Sequence, residues 1–154
     1  MLIDMQAQKN GIDFTVHIAP EIYEHPFVYG SPLHLRRAMM NIYSNCIKYN
    51  RENGAIHTEV DALPSHDHKL VFRWTISDTG IGISREYLEK IFEPFTQENV
   101  DARSVYHGTG LGMSIAKALF EQMGGSIEIT STPGIGSTFV ITLPFEEAEE
   151  RDIS

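Results

Sequence analysis

Apolar and polar residues alternate over 12–18, with Ile12, Phe14, Val16 and Ile18 set against Asp13, Thr15, His17 and Ala19. That period of two predicts a half-buried strand, and a turn-rich stretch follows to Gly30. Ser31 supplies an N-cap hydroxyl and Pro32 a residue preset for the first helical turn, so the spacing predicts a helix over 32–49, closed by Asn53-Gly54. Two strands are expected over 55–62 and 69–77, paired antiparallel across the polar loop Pro64-Ser65-His66-Asp67-His68. After Asp78-Thr79-Gly80-Ile81-Gly82 a short helix is predicted over 85–91. Residues 93–107 follow neither period, and a loop of that length in a small domain is usually functional. A second long helix is predicted over 111–123, stopped by Gly124-Gly125, and strands over 126–131 and 137–143 form a hairpin around Pro133-Gly134. Without strict βαβ alternation, the order fits an α+β fold, a mixed sheet with helices on one face.

At 154 residues, 42% hydrophobic and 21% charged, the chain has the size and composition of one globular domain with a real core. No apolar run reaches the length of a transmembrane helix, and the first residues lack the layout of a secretory signal. Residues 1–10 read as a linker remnant and 146–154 as an acidic, solvated tail. Twelve basic against 21 acidic residues give a formal charge of −9, which argues against a broad grip on nucleic acid or an anionic membrane. An anionic ligand must then be held locally. Cys46, the single cysteine, has no internal disulfide partner.

Three constellations carry candidate chemistry. On the first long helix, Leu35, Met39, Ile42 and Cys46 share an apolar face, while Asn41, Asn45 and Lys48 cluster at its border. Helical Asn residues beside buried surface need partners: they either cap neighbouring loops or offer an oxygen to a hard cation, with the lysine one turn on to meet a phosphate. On the second strand of the middle pair, Leu70, Phe72, Trp74 and Ile76 face one way, and the alternation carries Asp78 to that same side. A carboxylate at the rim of a core requires a hydrogen bond; it caps the next helix or reads an exocyclic amine such as that of adenine. Gly108-Thr109-Gly110-Leu111-Gly112 opens the second long helix, where free N–H groups and the helix dipole favour phosphate. The spacing matches neither the Rossmann fingerprint nor the Walker A loop.

In this order the motifs resemble the catalytic ATP-binding domain of sensor histidine kinases, of the superfamily that includes gyrase, Hsp90 and MutL. NIYSNCIKYN is similar to its N box, DTGIGI to its first glycine motif, FEPF to its phenylalanine box, GTGLGM to its second glycine motif and GIGSTFVITLP to its closing strand pair. The resemblance spans about 11–144. It implies the Bergerat fold, a two-layer α/β sandwich with a mixed, mostly antiparallel sheet. It implies ATP and Mg2+ as cofactors, with Asn45 on the metal, Asn41 and Lys48 near the phosphates, Tyr49 against adenine and Asp78 accepting from its amine. Thr138 would support that contact, and Gly80 and Gly82 would shape the pocket. Gly108, Thr109, Gly110 and Gly112 with the Leu111 amide would wrap the phosphates. Residues 96–107 would form a lid that is mobile when empty and closes on nucleotide, with Arg103 as its phosphate contact.

The departures are Cys46 where the family usually has Ala, Ser31 where Asp commonly caps the N-box helix, and His107 where Gly is frequent. In the hydrolase branches a glutamate acts as base one turn before the metal Asn; here that place is Asn41, so transfer to a histidine is favoured over hydrolysis. None of His17, His25, His34, His57, His66, His68 and His107 lies on an amphipathic helix beside an acidic neighbour. The resemblance implies an acceptor histidine on a separate helical hairpin N-terminal to this domain and a response regulator receiver domain as downstream partner, so the chain reads as a fragment of a longer kinase. The resemblance places the domain in the cytoplasm without membrane insertion, leaves open an anchored parent, and leaves two rivals: a nucleotide-binding module without transfer, and an anti-sigma-type serine kinase.

Overall fold

The computed structural model describes residues 11–24, 28–64, 69–93 and 112–147. Six strands form one sheet: β1 (Asp13–Ile18), β2 (Val28–Tyr29), β3 (Ala55–Leu63), β4 (Lys69–Asp78), β5 (Ser126–Thr132) and β6 (Gly136–Glu147). The helices are α1 (Pro32–Lys48), the single turn α2 (Arg85–Leu88) and α3 (Gly112–Gln122), with a 3-10 turn at Pro20–Glu24. The sheet runs β1-β3-β4-β6, and β6 also carries β5 and the short β2 along its other side. Among the described residues only β1 and β3 pair in parallel, from Asp13 opposite Ala55 to Ile18 opposite Val60; the other pairs are antiparallel.

One face of this sheet makes the core. Ile56, Thr58 and Val60 of β3, Leu70, Phe72 and Ile76 of β4, and Phe139, Ile141, Leu143 and Phe145 of β6 are buried at alternate positions, as side chains with period two require. Against them lie Ala38, Ile42, Cys46 and Ile47 of α1 and Met113, Ala116 and Phe120 of α3, the two helices packed on each other. Thr58, buried at 1% exposure, is tolerated there because its hydroxyl meets Tyr43 Oη at 2.6 Å. The opposite face carries Glu59, His57, Arg73, Thr75 and Thr142, half-exposed. The fold is thus the expected two-layer sandwich.

Several boundaries differ from the sequence reading. β1 is half-buried only at its start: Ile12 is 5% exposed and Phe14 packs edge-on against Tyr43 at 5.5 Å, whereas Val16 at 49% and Ile18 at 37% are exposed. The predicted helix over 85–91 is helical for four residues and continues as hydrogen-bonded turns, Lys90 N–H to Tyr87 O and Glu93 N–H to Lys90 O. The acidic tail starts later than expected. Glu146 and Glu147 belong to β6, opposite Lys69, Tyr29 and Val28, because Phe145 is buried and draws the strand on. Pro144 fits into this strand where β5 has already ended at the pair with Thr142, so its missing N–H interrupts no ladder on that side.

Candidate functional site

α1 starts as the sequence requires. Ser31 has an extended backbone and its Oγ accepts from the His34 N–H at 3.3 Å, with Pro32 next. Seventeen residues later the helix ends at Tyr49, delivering Asn45 and Tyr49 to the edge of a cleft. This cleft, about 400 Å³ including its solvent-open part, is lined by Asn45, Tyr49, Asp78, Gly82, Ile83, Tyr87, Ile91, Ser137 and Phe139. α1, the ends of β4 and β6, and the α2 turn thus meet around one largely apolar hollow.

Asp78 ends β4 on the core side, below Ile76. Its Oδ1 accepts from the Gly80 N–H at 2.9 Å and the Ser137 N–H at 3.2 Å. Burial pushes its pKa above the ordinary carboxylate value, and these two donors together with the Cys46 thiol offset the rise only in part. Burial also pushes the Cys46 thiol well up, and the neighbouring Asp78 charge adds to that. Cys46 is therefore a neutral filler beneath the carboxyl.

The glycines of the turn are forced by close approach. A Cβ on Gly80 would stand 2.6 Å from the Tyr49 carbonyl. A Cβ on Gly82, at φ +77°, would run into the Thr132 carbonyl and Pro133 Cα, so there is no room for a side chain in a conformation that already disfavours one. Behind them, Ser131 Oγ accepts from the Ile83 N–H at 2.7 Å, donates to the Gly136 carbonyl at 3.0 Å and meets Ser137 Oγ at 2.8 Å. The β5–β6 turn is thereby locked to the Gly80–Gly82 turn.

Asn45, Tyr49, Asp78 and Gly82 come together as expected, and Gly80 adjoins them through its bond to Asp78. Asn41 lies one turn before Asn45, half-buried, and Lys48 sits with Nζ 5.0 Å over the Tyr49 ring; neither lines the cleft. Thr138 is on the other face of β6, its Oγ1 3.3 Å from Ser77 Oγ. Ser137 takes the cleft side instead. The alternation of β6 could have found this, since buried Phe139 and Ile141 fix the inward parity and Ser137 shares it. Tyr87, Ile83 and Ile91 were also missed, their placement depending on how the α2 segment folds back. Gly112 stands at the N-terminus of α3, with none of the described residues within 4 Å of an added Cβ. Arg103, His107, Gly108, Thr109, Gly110, Leu111, Phe95 and the 96–107 lid lie outside the described residues.

Among the described residues no cluster of three or more His, Cys, Asp or Glu side chains forms a cation cage. The cleft offers one carboxamide, from Asn45. Such a donor set suits a cation held mainly by a ligand's own oxygens and by water, as Mg2+ commonly is.

Residues 30–147 match the family of histidine kinase-, DNA gyrase B- and HSP90-like ATPases. The chain is 42% identical over 114 residues to the sensor histidine kinase GacS of Pseudomonas protegens, covering 74% of this chain and 12% of GacS. It is 34% identical over 146 residues to hybrid signal transduction histidine kinase A of Dictyostelium discoideum, covering 90% of this chain and 7% of that protein. It therefore spans a small part of these relatives. Among solved structures, the catalytic domain of histidine kinase ThkA superposes with a TM-score of 0.71 at 27% identity, over 93% of this chain and 85% of that one. Full-length ShkA in complex with AMPPNP gives 0.72 at 26%, over 96% of this chain and 28% of that one. The matched span runs from the start of α1 to the end of β6 and contains every residue that lines the cleft, and the chain belongs to the family of histidine kinase-, DNA gyrase B- and HSP90-like ATPases.

Proposed function

We propose that this chain binds ATP with Mg2+ in the cleft and donates the γ-phosphate to a histidine on a separate helical hairpin of its parent protein. The observation that carries the reading is Asp78, a half-buried carboxyl at the base of an apolar cleft whose two backbone donors both fall on Oδ1. Its second oxygen accepts from the adenine amine. The Tyr49 and Phe139 rings and Ile83 and Ile91 give the base an apolar bed, and Ser137 bonds its polar edge. Asn45 holds Mg2+, which when bound neutralises phosphate charge. Asn41, one turn before Asn45 on α1, and Lys48, three residues after it, meet the phosphates, whose charge suits the dipole at the N-terminus of α3 at Gly112. Arg103 and Gly108, Thr109, Gly110 and Leu111 complete the phosphate site.

The protein's part in such a transfer is positioning and charge neutralisation, because the acceptor histidine is already a nucleophile. Water is not, and Asn41 cannot take its proton at neutral pH. The relatives' names as sensor and hybrid kinases support an acceptor hairpin and a receiver domain as partners in two-component signalling. No described helix is long and apolar enough to cross a membrane, and a cytoplasmic site, where ATP is supplied, suits the domain whether or not its parent is anchored.

Calorimetry tests the binding. The chain should prefer ATP to GTP, and Asp78→Ala should cost about 1–3 kcal/mol of ATP affinity and remove the preference; equal affinity in the unmutated chain would overturn the assignment. Radiolabelled ATP tests the chemistry. The chain alone should neither label itself nor turn over ATP appreciably, whereas addition of a helical hairpin bearing the acceptor histidine should yield labelled hairpin. Rapid turnover by the chain alone, lost in Asn41→Ala, would make it a hydrolase.

A further inference from the structure

Three segments far apart in sequence meet behind the Asp78 carboxyl: the chain leaving α1, the turn after β4 and the β5–β6 turn. Backbone bonds join them, Ile81 N–H to the Tyr49 carbonyl at 3.1 Å and Gly134 N–H to the Ile81 carbonyl at 2.8 Å. One side chain joins them too. Arg51 Nη2 donates to the Gly80 carbonyl at 3.0 Å and to the Gly134 carbonyl at 2.7 Å, 29 and 83 residues along the chain. The Gly80–Ile81 peptide is thus held at both ends, its carbonyl by Arg51 and its N–H by Tyr49. The N–H of the same Gly80 donates to Asp78 Oδ1. Arg51 reaches the carboxylate through one residue, without lining the cleft itself.

We infer that Arg51 is a positioning residue for purine recognition, fixing the turn that aims Asp78, an inference that rests on the reading of Asp78 given above. Arg51 and Gly134 are exposed, so water can replace the guanidinium at the Gly134 carbonyl, and the single part-buried bond to Gly80 is a small share of the fold's stability. What water cannot supply is one nitrogen, Nη2, held on a guanidinium between two turns. Removing Arg51 therefore loosens the selectivity of the cleft and leaves the fold in place, which separates positioning from a plain structural role.

The test is titration calorimetry of the 154-residue chain with Mg-ATP and Mg-GTP, beside thermal unfolding. In Arg51→Ala, ATP affinity should fall roughly tenfold, the size of one well-aimed hydrogen bond. GTP affinity should change about twofold or less, and the unfolding midpoint should shift by only about a degree or two. Arg51→Lys should fall between, since an ammonium has donors for both carbonyls but sits on a flexible stem that fixes them less well. In an Asp78→Ala background, Arg51→Ala should add no further loss, because the group it positions is gone. Equal losses for ATP and GTP, or unchanged ATP affinity in Arg51→Ala, would overturn the inference while the Asp78 reading stood. An unmutated chain without ATP preference would overturn the Asp78 reading, and this inference with it.

Discussion

Burial raises the Asp78 pKa, and the Gly80 and Ser137 N–H groups with Cys46 pull it only part of the way back. The folded chain then holds that proton more tightly than the unfolded chain does. Whatever the side chain contributes to stability is fully present below the ordinary carboxylate pKa and is lost as pH rises through the folded value. At neutral pH the charged Asp78 is a net cost to the fold. Asp78→Asn keeps an acceptor for both N–H groups and removes the charge, so its unfolding midpoint at pH 7 should exceed that of the unmutated chain. The gain should shrink as pH falls through the folded value and be gone only well below the ordinary Asp pKa of about 3.9, where the carboxyl is neutral in both states. A lower midpoint for Asp78→Asn at pH 7 would reverse this account. The identity of Asp78 was legible in the sequence because period two along β4 carries it to the apolar side. That Ser137 also lines the cleft was not read, though the same rule applied to β6 gives it: one residue along a strand changes the face.

At the scale of elements, legibility followed the range of the interactions. α1 was readable at both ends, because Ser31 caps it locally and Asn53, at φ +62°, turns the chain after it. The β5–β6 hairpin was readable for the same reason. β2 was not, since two residues carry no period and their pairing comes from the far end of β6, more than a hundred residues on. The parallel pairing of β1 with β3 likewise depends on α1 crossing between them, which pattern alone leaves open. The cap of α1 gives a quantitative check. The Ser31 Oγ accepts from His34 N–H at a long 3.3 Å, and no acidic residue stands in the first turn of α1. Ser31→Ala should cost about 1 kcal/mol. Ser31→Asp should match or exceed the unmutated chain by about 0.3–1 kcal/mol, adding a negative charge where the helix dipole favours one. Urea unfolding measures both; a stabilising Ser31→Ala would show that the cap carries no weight.

Across the whole molecule, the cleft is built from both layers. α1, β4, β6 and the α2 turn each contribute lining residues, so a ligand seated there binds only the folded chain. Stability and nucleotide are then linked by mass action, and ligand at a hundred times its dissociation constant adds about 2.7 kcal/mol. The buried charge of Asp78 works the other way, which sets two effects of one residue against each other. Without nucleotide, the Asp78→Asn chain should unfold at the higher temperature. As Mg-ATP is added, the unmutated chain should gain steadily and Asp78→Asn far less, so that the two midpoints cross below saturation of the unmutated site. Mg-GTP should produce no crossing, because the carboxylate has no exocyclic amine at the adenine position to accept from. Thermal scans over a nucleotide series at pH 7 read this directly. Parallel rises of both chains with ATP would mean that the ligand is held without Asp78, and that the buried charge serves something other than reading the base.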